Sequence, residues 1–131
     1  MDQVLTPRKV YLAKSKIPGS GRGVFAVEDI KKGEVIEIAP ILILDFADFI
    51  DTKWNLLFEY YFWLDDFVVL ALGYGSLYNH SKDPNCSYEI LKDKKLIKII
   101  ALRDISKDEE ILIDYNGSSS SKAPLWFEKT K

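Results

Sequence analysis

Three short strings in this chain carry residue types that could do chemistry, and they lie far apart. The first is Gly21-Arg22-Gly23, which follows the turn-rich stretch Pro18-Gly19-Ser20. Glycines let a backbone approach a ligand closely and adopt positive φ. A dinucleotide fingerprint is excluded, because the third glycine and the helix after it are missing. The second string runs from Asn79-His80-Ser81 to Pro84-Asn85-Cys86 and holds the only histidine and the only cysteine. Read alone, it is a loop with turn chemistry, since Asn, Ser, Asp and Pro favour turns. The third is the acidic turn Asp108-Glu109-Glu110 feeding Ile111-Leu112-Ile113-Asp114-Tyr115. A single cysteine makes neither an internal disulfide nor a Cys-based zinc cluster. No second histidine and no obvious carboxylate dyad stand ready for general acid–base work. Hydroxyl-bearing aromatics are abundant instead. Tyr60, Tyr61, Phe62, Trp63, Tyr74, Tyr78 and Tyr88 read first as core, but buried tyrosines need hydroxyl partners. Such a set also suits an aromatic-lined pocket, whose ring faces attract ammonium and sulfonium-like cations.

The elements that must position these strings are mostly short β segments. Val10 to Ala13 and Val24 to Val27 are predicted strands. Lys32-Gly33 is a turn, and Val35 to Ile38 alternates apolar and acidic residues as a half-buried strand should. Pro40 is expected to interrupt that strand, with Ile41 to Leu44 resuming it. Asp45 to Asp66 is open between a short helix and an irregular excursion. Phe67 to Leu72 is a buried strand ending at Gly73-Tyr74-Gly75. Ser87 to Leu91 and Leu96 to Leu102 flank the polar turn Lys92-Asp93-Lys94-Lys95, and Glu110 to Tyr115 is the last strand. Gly117 to Ser121 reads as a flexible linker. The apolar Pro124-Leu125-Trp126-Phe127 after it is expected to fold back onto something.

Composition sets the outer bounds. A chain of 131 residues suits one domain. With 47% hydrophobic residues, its core needs no metal or disulfide staple. Lys and Arg number 18 against 20 Asp and Glu, a net charge of -2, which gives no electrostatic case for nucleic acid. A mildly acidic surface can still attract a basic peptide. Asp45, Asp48, Asp51, Asp65 and Asp66 form an acidic stretch that is either part of such a peptide entrance or a solvated loop. The first ten residues lack a signal-peptide core, and the longest apolar runs are too short to span a bilayer. A soluble, intracellular protein is expected.

In order and spacing, the strings form one pattern. Gly-Arg-Gly-Val-Phe-Ala at 21–26, Ala-Leu-Gly-Tyr-Gly-Ser-Leu-Tyr-Asn-His-Ser at 71–81, Asp-Pro-Asn-Cys at 83–86 and Asp-Glu-Glu-Ile-Leu-Ile-Asp-Tyr at 108–115 together resemble the SET-domain family of protein-lysine methyltransferases. The likeness is to its small free-standing members and spans about residues 8–116. It implies a mainly β fold with short helices, built of small curved, β-clip-like sheets, in which the Asn-His-Ser segment and the C-terminal segment form a pseudoknot. It implies a SET domain over 1–116 and, over 117–131, a Ser-rich linker and aromatic tail packing near the active site.

The resemblance also implies S-adenosylmethionine as methyl donor, S-adenosylhomocysteine as product and no metal. Gly21, Arg22 and Gly23 would line the donor, Asn79 would bond its amino-acid portion, and His80 would contact its adenine region mainly through backbone. Tyr115 would stand beside the transferring methyl. Tyr88 would orient the lysine nitrogen, and Tyr60, with Tyr61 adjacent, would be a further channel aromatic. Trp126 or Phe127 would stack on adenine or cap the channel, or else pack on the body or in a homodimer. The expected partner is a basic protein or peptide such as a histone tail, with neither nucleic acid nor membrane. Where the family often has glycine, this chain has Asp108 and Asn116, both types that tolerate left-handed backbone. Those departures motivate the alternative of a catalytically silent module that binds a peptide or partner.

Overall fold

The computed structural model describes residues 3–49, 60–64 and 66–115. Nine strands carry almost all of its regular structure: β1 Val10–Lys14, β2 Arg22–Ala26, β3 Val35–Asp45, β4 Tyr61–Leu64, β5 Phe67–Ala71, β6 Asn79–His80, β7 Cys86–Leu91, β8 Leu96–Ala101 and β9 Leu112–Ile113. The helical content of the described residues is two single 3-10 turns, Phe46–Phe49 and Lys92–Lys94. The strands form three sheets: β1-β2, the five-stranded β4-β5-β3-β8-β7, and the pair β6-β9. Among the described residues, no helix is long and apolar enough to cross a membrane.

The central sheet follows from its aliphatic pattern. On β8, Ile97, Ile99 and Ala101 are buried while Lys98 and Ile100 lie nearer the surface, the period of two that a one-sided sheet requires. Val69 on β5 and Ala39 and Ile41 on β3 join the same core, as do Val24 and Ala26 on β2 and Ile111 and Ile113 near β9. The β7–β8 hairpin closes at Lys95, which takes the left-handed conformation at φ 56.

The sequence-based expectations differ from the structure at four places. Strand β3 runs unbroken through Pro40. Up to Pro40 it pairs with β8, and from Ile41 onward it pairs with β5 instead. Pro40 sits at this hand-off, so its missing N–H falls at the end of a ladder, while its carbonyl still accepts from Leu72 N–H at 2.9 Å. Within Asp45 to Asp66 the described residues hold the short 3-10 helix Phe46–Phe49 and, unexpectedly, strand β4. Alternating burial fails at Glu37: the β3–β8 register slips between Val35 and Glu37, and this bulge turns both Ile36 and Glu37 inward. The last strand is only Leu112–Ile113, and its partner is Asn79–His80, a segment whose composition alone reads as a loop.

Candidate functional site

The three strings meet because of two backbone pairings. Residues 108–111 run beside β2: Ala26 N–H donates to Glu109 O at 3.0 Å, and Ile111 N–H to Val24 O at 2.7 Å. Immediately afterward, β9 pairs in parallel with β6, matching Asn79 to Leu112 and His80 to Ile113. Asn85 fastens this junction from the other side. It is 1% exposed, its amide donates to Glu110 O and Glu109 Oε2, and its Oδ1 accepts from Leu112 N–H at 2.8 Å. All the hydrogen-bonding groups of a buried asparagine are thereby used within one turn of chain.

Beside the junction opens a cavity of about 820 Å³, within the range typical of small-molecule sites. Its wall includes Gly21, Arg22, Asn79, His80, Tyr115 and Tyr60, all predicted from sequence, together with Lys14, Ile17 and Leu77, which were not. Tyr60, not its neighbour Tyr61, faces it. Tyr61 starts β4 and pairs with Leu70. Of the other aromatics, Phe62 and Tyr78 are buried in the core, and Trp63 is exposed against Phe46. The polar aromatics therefore divide between core and cavity rather than forming one lined box.

Tyr115 is held at three points. Its hydroxyl donates to Tyr78 O at 2.7 Å, its N–H donates to His80 Nδ1 at 3.0 Å, and its carbonyl accepts from the Tyr88 hydroxyl at 2.7 Å. Because Nδ1 accepts, neutral His80 carries its proton on Nε2. The approach of Asp114 Oδ1 to the same nitrogen, 3.7 Å, is then not an ion pair. The His80 and Tyr115 rings lie 5.1 Å apart, and Phe62 stands edge-on to Tyr115 at 6.1 Å. Tyr88 packs on Phe62 and is not part of the cavity wall. Burial, and then the charge of Asp114, push its hydroxyl up to about 12.

A buried carboxylate to which the sequence reading gave no role organises the cavity wall around Asn79 and Arg22. Glu110 is 6% exposed and accepts from Ser15 Oγ at 2.8 Å, Lys16 N–H at 3.1 Å and Asn79 Nδ2 at 2.9 Å. Asn79 Nδ2 also donates to Arg22 O at 2.9 Å. Both partners of that nitrogen are pure acceptors, so the amide orientation is fixed by chemistry. Gly23 lies behind the wall, not in it, and a Cβ there would collide with Glu110 Oε2. Its role is space for the carboxylate, a pairing of residues far apart in the chain that the sequence alone does not signal.

Glu37 is a second buried acid missed in the sequence. It is 1% exposed, with Oε1 accepting from the Tyr78 hydroxyl at 2.7 Å and Oε2 from Tyr74 N–H at 2.9 Å. Burial raises its carboxyl above the ordinary range, while those two bonds pull it down. Burial, and then Glu37 itself, raise the Tyr78 hydroxyl well above its usual value.

Asp108 adopts φ 67, as its glycine-like position requires, and accepts from the Tyr11 hydroxyl at 2.8 Å. Asp45, the last residue of β3, and Asp66 are exposed, as both readings of the acidic stretch require. Asp51, Asp65, Asn116, Trp126 and Phe127, and with them the expected tail over 117–131, lie outside the described residues, as does the side chain of Asp48. Among the described residues, no cluster of His, Cys, Asp and Glu could hold a metal ion.

Residues 21–116 match the family model described as SET domain. A Schizosaccharomyces pombe histone-lysine N-methyltransferase, specific for H3 lysine-37, is 36% identical over 110 residues, which cover 82% of this chain and 71% of that protein. A crystal structure of a candidate histone methyltransferase from Plasmodium falciparum superposes with TM-score 0.66 at 40% identity, covering 85% of this chain and 95% of that one. Polycomb Repressive Complex 2 of Chaetomium thermophilum, autoinhibited and bound to S-adenosylmethionine, gives TM-score 0.68 at 25% identity over 84% of this chain and 16% of that one.

Proposed function

This chain belongs to the SET-domain family, and from that premise we propose that it is an S-adenosylmethionine-dependent protein-lysine N-methyltransferase acting on a histone or another basic protein inside the cell. The observation that carries the reading is the convergence of Gly21, Arg22, Asn79, His80 and Tyr115 on one cavity.

The cavity suits the methyl donor chemically. Asn79 Nδ2 is committed to Arg22 O and Glu110, which leaves Asn79 Oδ1 as an acceptor for the donor's ammonium group. Lys14 and Arg22 supply cations for its carboxylate, and Ile17 and Leu77 supply apolar wall for the adenosyl portion. When bound, S-adenosylmethionine provides an electrophilic methyl on a positively charged sulfur.

The protein's part is to present a neutral amine in line with that methyl. A free lysine has a pKa near 10.4, about three units too high for a neutral nucleophile at physiological pH. Removal from water and a nearby positive charge both disfavour the ammonium and lower that value. The proton then leaves through water, and no strong base is needed. Tyr115 is suited to orient rather than to ionise. Its hydroxyl hydrogen is given to Tyr78 O, so toward the cavity its oxygen acts as an acceptor. Tyr60 walls the cavity and Tyr88 fixes the Tyr115 backbone from behind. Alignment of this kind contributes roughly 7–11 kcal/mol to a displacement.

The test is transfer of radiolabelled methyl from the donor to lysines of histones or other basic proteins. Labelling is expected with the wild type and to fall by roughly 10²–10³ in Tyr115→Phe; labelling unchanged by that substitution overturns the tyrosine assignment. For the silent-module alternative, Asp108 keeps its turn at φ 67, which removes one of its two motives. Calorimetric titration with the donor separates the readings, because a folded protein with no binding at millimolar donor supports only the silent module.

A further inference from the structure

The Tyr115 hydroxyl does not rest on a rigid sheet. It rests on a turn, and the part of that turn next to Tyr78 is held by one acid. The acceptor of the hydroxyl is the carbonyl of Tyr78, the last residue before β6. Tyr78 follows the turn 72–77, whose internal hydrogen bonds are Gly75 N–H to Leu72 O, Leu77 N–H to Tyr74 O, and Ala71 N–H to Ser76 Oγ. The turn's entry is tied to β3 by Leu72 N–H to Pro40 O, and its far part by Glu37 on β3, which accepts from Tyr74 N–H and from the Tyr78 hydroxyl.

Gly73 adds a third convergence on the same group. It sits at φ 59, and a Cβ there would lie 2.5 Å from Glu37 Oε2. Positive φ and missing side chain both serve the close approach of one carboxylate. A buried carboxylate is costly unless every oxygen is bonded. Here each oxygen has one donor, the Tyr74 N–H within the turn for one and the hydroxyl of Tyr78 itself for the other. The bulge in β3 exists at the position that aims Glu37 inward.

We propose that Glu37 is a positioning residue for methyl transfer: by anchoring Tyr74 and Tyr78 it sets the Tyr78 carbonyl that orients the Tyr115 hydroxyl. This rests on the methyltransferase reading, and it assigns a task to an acid that touches neither cavity nor substrate. Glu37 acts on the rate only through Tyr115. Its loss therefore lowers turnover at saturating donor and leaves donor affinity, which depends on Asn79, Glu110 and Arg22, nearly intact.

The experiment is a double-mutant cycle of Glu37→Gln with Tyr115→Phe, read as single-turnover methyl transfer on a basic protein with donor saturating. Glu37→Gln alone is expected to slow transfer about 10-fold, the scale of a displaced catalytic contact. In the Tyr115→Phe background the same change is expected to cost less than about 2-fold, since the hydroxyl it would misplace is gone. Equal penalties in both backgrounds mean a purely structural role and overturn the proposal. Tyr78→Phe, which keeps the carboxylate, is the second variant should Glu37→Gln fold poorly, with the same two outcomes. A crystal structure of Glu37→Gln gives a readout independent of turnover. Loss of the 2.7 Å bond from Tyr115 to Tyr78 supports the proposal, and its retention refutes it. If the wild type binds donor but transfers no methyl, the functional reading fails, and that structure still decides the positioning role.

Discussion

Ile97 and Ile99 on β8 are as fully buried as Glu37, and more so than Glu110, yet different forces hold the two sets in place. The five-stranded sheet is an aliphatic construction. Its residues are interchangeable in kind, each contributes through area removed from water, and a modest error in one is absorbed by neighbours. The region around β6 and β9 is built from single polar atoms with named partners: Glu110 with Ser15, Lys16 and Asn79; Asn85 with Leu112; Tyr115 with Tyr78, His80 and Tyr88. Its strands are two residues long, too short to be stable by pairing alone. Stability and chemistry are thus separated within one small domain. The sheet supplies the folding free energy, and the polar region spends part of it on geometry.

Substitutions sharpen or break that separation. The largest effect is expected for Tyr115→Phe, which should cut methyl transfer by roughly 10²–10³, the usual scale for one preorganised contact, with donor affinity by calorimetry nearly unchanged. Next, Ile97→Ala should cost about 2–5 kcal/mol in a denaturant titration while the rate per folded molecule stays the same. A large fall in that rate would mean the two regions are not separate.

Tyr88→Phe is a smaller test at the border. It removes the bond to Tyr115 O, a loss of about 1 kcal/mol. It also changes the alkaline limb of stability. The folded hydroxyl titrates at about 12 against about 10 when unfolded. Its contribution is therefore whole below pH 10 and is lost as pH rises toward 12. The variant should show a shallower fall across that window. The smallest effect is at Asp108. With φ at 67, Asp108→Ala should be less stable than Asp108→Gly by about 1 kcal/mol, measured as a difference in denaturation midpoints.

The same contrast explains what could be read from the amino acids. Strands β1, β2, β5, β7 and β8 were legible as short apolar runs bounded by turn residues, and the resemblance to SET domains brought Asn79, His80 and Tyr115 to one place. Composition alone read Asn79-His80 as a loop, because a two-residue parallel pair has no periodicity to display. Glu37 and Glu110 were invisible for a related reason. Glu37, between Ile36 and Ile38, looks like the solvent face of a strand, and Glu110, after Asp108 and Glu109, looks like a surface turn; only a bulge or a distant serine reveals that they point inward. Pro40 misled in the opposite direction, since a strand that changes partners at the proline needs no N–H there.

The parallel match of Asn79 to Leu112 and His80 to Ile113 has a consequence in time. Its halves are separated by some thirty residues, including the entire β7–β8 hairpin, so the entropy of closing that loop is met only after the hairpin has shortened it. High sequence separation makes such a contact late in folding. On a ribosome, most of the sheet can form while the catalytic corner is still missing its final strand. In mild denaturant the order is expected to reverse: the corner opens first, and methyl transfer falls before the circular-dichroism signal of the sheet does.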